Sequence, residues 1–118
     1  MYKHTLLFIL IFAFRPAFAG DVDPLRATRL IAAVAVHLAY CPTLKMGPGV
    51  QALMAENGLR QADLLEGGRY HAELIEHAGI MKEIKRIAGL DNARSACPEA
   101  LERYGPSGTI GRSLVIAR

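Results

Sequence analysis

Cys41 and Cys97 are the only cysteines in the chain. A proline follows each directly, in the stretches YCPTLK (residues 40–45) and SACPEA (residues 95–100). Paired thiols serve as a redox couple, as metal ligands or as a crosslink. A thioredoxin-type couple places its thiols as Cys-x-x-Cys at a helix N-terminus, and covalent haem attachment needs Cys-x-x-Cys-His. With 55 residues between the two cysteines, neither pattern is met. A metal centre has more in its favour: His37 and Cys41 stand four apart on one helical face, and Cys97 with His77 completes a Cys2His2 donor set. That spacing matches no zinc module, and an oxidising compartment pairs thiols before a metal reaches them. A Cys41–Cys97 disulfide is therefore the expectation. A small-ligand or metal carrier using a site near His37, Cys41 and His77, with Tyr70 beside it, is the alternative.

The remaining chemistry-bearing residues make no catalytic pattern. Ser95, Ser107 and Ser113 lie in no nucleophile elbow. Glu73 with Glu76, and Glu99 with Glu102, fall at helical spacing on faces shared with Lys or Arg, which reads as solvated surface. GPSGTIG (residues 105–111) is glycine-rich enough for an anion nest but lacks the Lys-Ser/Thr ending of a phosphate loop, so a plain loop is expected. His37 and His77 fall on or beside apolar stripes, where a hydrogen-bonded core histidine is the ordinary explanation, and His71 reads as solvated. Lys82, Lys85 and Arg86 form a basic cluster balanced by Glu76 and Glu83. It reads as a helix face rather than a site for anionic membrane. No catalytic residue, cofactor site or resident metal is assigned, and the chain is not expected to be an enzyme.

Compartment and size frame these residues. Residues 1–19 have a basic start at Lys3, an apolar run from Leu6 to Phe14, and Ala17-Phe18-Ala19 before Gly20. These are the regions of a secretory signal peptide, with cleavage after Ala19. The run is about half the roughly 20 residues that a spanning helix needs. The full chain carries 14 Lys plus Arg against 11 Asp plus Glu. Lys3 and Arg15 leave with the signal peptide, so the mature part is nearly neutral. Its charge gives no reason to expect nucleic acid as a partner. The mature residues 20–118 make one small domain, of a size that gains much from a crosslink.

The elements that position these residues read as helices. Asp23-Pro24 opens a helix to about Tyr40, with Leu30, Ile31, Val34, Leu38 and Cys41 recurring at three- and four-residue steps. A short second helix follows Gly47-Pro48-Gly49 and stops at Asn57-Gly58, and a brief turn covers Gln61 to Glu66. Tyr70, Leu74, His77, Met81, Ile84 and Ala88, widened by Ile80 and Ile87, predict a helix over about 69–88. Gly79 inside it suggests a kink or a close helix crossing. A last short helix, capped by Asp91, bent at Pro98 and stopped by Gly105, precedes a tail over 104–118 that is either extended or docked through Ile110, Leu114, Val115 and Ile116. No alternating strand pair is evident. The expected fold is all-α, four or five short helices stapled by one disulfide. Leu30, Ile31, Val34, Leu38, Leu53, Leu74, Met81, Ile84 and Ile87 are expected to share one core.

Cys41-Pro42-Thr43, Asn57-Gly58-Leu59, Cys97 and the segment Gly108-Thr109-Ile110-Gly111-Arg112-Ser113-Leu114 resemble the pattern of a family of small exported alphaproteobacterial proteins of unknown function. The likeness spans nearly all of the mature chain. It departs at Arg60, where that family would have a capping Ser, and at Pro98 after the second cysteine. The resemblance implies a helical, disulfide-bearing fold and supplies no activity, cofactor or catalytic residue. The functional expectation is a non-catalytic exported interaction or binding protein of a bacterial envelope. Its partner would be an envelope or periplasmic protein, and no stable membrane span would remain after signal cleavage.

Overall fold

The structure, a computed structural model, describes residues 22–118. The expected signal peptide over residues 1–19, with its expected cleavage site, lies outside these residues. Five helices are described: α1 (Pro24–Tyr40), α2 (Gly49–Glu56), α3 (Gln61–Leu64), α4 (His71–Ala88) and α5 (Ala93–Tyr104). Two short strands, β1 (Leu44–Met46) and β2 (Val115–Ala117), accompany them. No described helix is long and apolar enough to cross a membrane.

Helix α1 is the centre of the molecule. Asp23 caps it, its carboxylate accepting from the Arg26 amide at 3.0 Å, and Pro24 occupies the first turn, where a missing N–H costs nothing. It ends at Cys41, which is extended as the residue before a proline must be. Ala27, Ala32 and Ala33 are buried along it, and such thin side chains allow neighbouring helices to approach closely. Helices α2, α4 and α5 all pack on α1, while α4 and α5 barely touch each other. Helix α4 lies beside α1 in the same sense. Arg29 pairs with Glu73 near the start of both, and His37 and Lys85 meet the same carboxylate near their ends.

The crosslink is present: Cys41 and Cys97 are bonded, with Cα atoms 5.2 Å apart. It joins the end of α1 to the first half of α5, which begins at the Asn92 cap rather than at Asp91.

The tail docks on the core through Leu114 and Val115, and the short two-stranded sheet it forms there is what the sequence pattern does not show. Leu44, Lys45 and Met46 pair antiparallel with Ala117, Ile116 and Val115. The Gly47 and Gly49 amides continue the contact, donating to the carbonyls of Leu114 and Ser113 at 2.8 and 2.9 Å. A side chain at either glycine would run into the backbone of residues 112 and 113, which is why this crossing needs the Gly-Pro-Gly step. Strands of three residues are too short to show alternation, so the sequence pattern does not reveal them.

The core differs from expectation along α4. Leu74 and Met81 pack against the core, but Ile84 and Ile87 are 55% and 72% exposed, Ile80 is exposed too, and the buried residue of that helix is Lys85. At about 100° per residue, the apolar residues of α4 cover roughly half its circumference. Helix α1 meets only the edge carrying Leu74, Ala78, Met81 and Lys85. Gly79 faces open space, so it marks no helix crossing.

Candidate functional site

Two places could carry function. The first is an ionic cluster where α1, α4 and α5 converge. The His37 ring is fully buried, and its Nδ1 lies 2.8 Å from the Ala33 carbonyl one turn back. A carbonyl can only accept, so Nδ1 carries a proton. Its Nε2 lies 3.1 Å from Glu99 Oε1, an oblique approach that leaves this nitrogen without a well-directed hydrogen bond. The Lys85 ammonium is 3.4 Å from both Glu99 oxygens, and Arg103 Nη1 is 2.9 Å from Oε1. Tyr104 sets its ring edge-on to His37, with 5.3 Å between centroids. Burial alone would raise the Glu99 carboxyl; contact with His37 and the charges of Lys85 and Arg103 outweigh it and hold the group below the usual glutamate range. Burial pushes the Tyr104 phenol up.

This arrangement revises three expectations. Glu99 is not solvated surface but the shared carboxylate partner of Lys85, Arg103 and the His37 ring. Lys85 leaves the basic cluster of Lys82 and Arg86 because it is drawn inward to that carboxylate. His71 is not simply solvated: its Nδ1 lies 2.8 Å from the Leu64 carbonyl and ties α4 to α3. Nearby, Asp63 receives the Arg69 guanidinium in two contacts and the Arg60 amide at 2.9 Å. This holds its carboxyl down to about 2, the Arg69 contact contributing most.

The four residues of the Cys2His2 set are not available as one site. Cys41 and Cys97 are consumed by each other, with the Thr43 hydroxyl 3.3 Å from Cys41 Sγ. His37 is sealed in the ionic cluster. His77 instead lines a separate cavity of about 430 Å³ between Arg26, Arg29, Leu30, Leu53 and Ile110. Among the described residues, no group of three or more His, Cys, Asp or Glu side chains could hold a metal ion. The glycine-rich segment also offers no anion nest: the amides of Thr109, Ile110, Gly111 and Ser113 are already donated to the carbonyls of Glu102, Arg103 and Gly105. That segment closes the C-terminal end of α5.

The second place is a groove of about 890 Å³ between α1, α2, α3 and α4. Ile31, Ala32 and Ala35 of α1 form one wall and Leu74, Ile75 and Ala78 of α4 another. Val50, Met54 and Ala55 of α2, with Met46, Leu59, Leu64 and Leu65, supply the rest. Its polar side chains are the amides of Gln51 and Gln61; no charged residue lines it. The groove was not anticipated from the sequence, although Leu64-Leu65 in a segment read as a brief turn was a visible signal of apolar surface with no helix of its own to bury it. No family model, curated protein or solved structure matches this chain.

Proposed function

We propose that this chain is a non-catalytic binding protein exported to a bacterial envelope, and that its groove takes a small apolar ligand. The groove itself carries this reading. Its volume falls within the roughly 300–1,000 Å³ of small-molecule sites, and such sites combine apolar walls with a few polar groups, as the two glutamines do here. Uncharged walls exclude an ion or a highly polar ligand, whose water they could not replace. Met46 and Met54 are adaptable contacts for a chain of irregular shape. Export rests on the N-terminal pattern of residues 1–19, and the disulfide is of the kind that persists in oxidising compartments. The resemblance to small exported proteins of unknown function points the same way and adds no activity.

The test uses disulfide-intact residues 20–118, stripped of lipid and titrated with the neutral fluorophore N-phenyl-1-naphthylamine. Saturable binding is expected, with loss of binding in Ile75→Glu and Ala35→Glu, both of which alter exposed positions and should leave the melting temperature nearly unchanged. Absence of saturable binding, or binding indifferent to both substitutions, rejects the groove as the site.

A further inference from the structure

The ionic cluster joins the last turns of α4 to α5, two helices that otherwise barely meet. Helix α4 past Met81 buries no apolar side chain; only Lys85 is inside, while Ile84 and Ile87 face solvent. Helix α5 buries Ala96, Ala100 and Tyr104, and two alanines supply little apolar area. Because α4 and α5 barely meet, the Lys85–Glu99 contact is the only ion pair between them among the described residues. Two residues before Glu99, α5 is fixed covalently to α1 through Cys97.

We propose that Glu99 is the trigger of an acid-released latch, whose protonation frees the last turns of α4 from α5 while the disulfide and the α1–α2 core stay closed. The groups facing the Glu99 carboxylate are His37 from α1, Lys85 from α4, and Arg103 and Tyr104 from its own helix. Adding a proton to Glu99 leaves the Lys85 ammonium, 3% exposed, with no counter-charge. A buried unpaired charge is costly, and an ammonium on a flexible stem relieves the cost by moving to water. Lys85 can do so only if its turn of α4 swings outward, and no buried apolar residue in that turn opposes the motion. The sign follows from the direction of the shift. Glu99 titrates below the usual glutamate value of about 4.3 in the closed form, so the closed form has its full support above that value and loses it as pH falls through the lower one.

The test follows amide NMR signals of the disulfide-intact chain from pH 7 to pH 3. Residues 82–88 and 99–104 are expected to shift together with one midpoint, while α2 keeps its native signals. Glu99→Gln, which imitates the protonated carboxyl, should show the open positions already at pH 7. Amide exchange over 82–88 should rise at least several-fold. Lys85→Met should keep the amide protection of residues 84–88 in acid, since no ammonium then needs water, even though Glu83 still titrates. A Glu99→Gln spectrum that matches the parent in both segments overturns the proposal. So does loss of α2 signals together with those of α4 and α5, in acid or in Glu99→Gln, which would make Glu99 a support of the whole fold and not a latch.

Discussion

Asp63 and Glu99 are both carboxylates held by cations, and the number of elements they join sets their consequences apart. Asp63 works locally: its oxygens cap α3 through the Arg60 amide and grip Arg69 six residues on. Its carboxyl is depressed to about 2, so its contribution is complete above the ordinary aspartate value of about 3.9 and disappears only as pH falls through about 2. The α3 turn should therefore persist at pH 3, read as retained protection of the Asp63 and Tyr70 amides, and Asp63→Asn should loosen that turn at pH 7 without disturbing α5. Neither carboxylate's role was legible in the sequence. Glu99 sits four residues before Arg103, a spacing that describes an exposed helix pair as well as it describes this one. Only the approach of α1 and α4 makes the difference.

The helices themselves were legible. Asp23-Pro24, the three- and four-residue spacing through Leu38, and Pro42 locate α1 to the residue. Gly89, left-handed at φ 71°, closes α4 where its period stops. Periodicity names the apolar side of a helix but not how much of it a neighbour will cover, and α4 is broader than the single helix it packs on. Substitutions should separate the two edges. Ile84→Lys and Ile87→Lys should each change stability by no more than about 0.5 kcal/mol, whereas Leu74→Ala, at the packed edge, should cost about 2 kcal/mol. Urea unfolding of the three variants checks this. Equal losses at all three positions would mean that the outer isoleucines are covered in solution.

Across the whole molecule, the disulfide bridges 56 positions of sequence. Closing a loop of that length is worth about 4 kcal/mol in the unfolded chain, of the order of a small domain's entire stability. Denaturant unfolding with and without reductant should differ by roughly that amount, while far-ultraviolet dichroism before the transition should hardly change, because the effect lies mostly in the unfolded state. A loss near zero would mean that the reduced chain keeps the loop closed by other contacts. The pairing was foreseeable from two cysteines and an N-terminal pattern of the kind that directs export. The groove was not, because it belongs to no one segment: residues from Ile31 to Ala78 line it, and only their assembly makes it concave.

The return of the tail has a consequence for biosynthesis. Leu114 and Val115 are buried against β1 and the core, with Val115 fully enclosed, and they come after every helix in the order of translation. A nascent polypeptide carrying all five helices still lacks the side chains that seal its interior and the partner strand for Leu44–Met46. Long-range pairing of this kind is slow to form in any case. Synthesis thus runs ahead of packing, and the interior can close only once that final stretch is made.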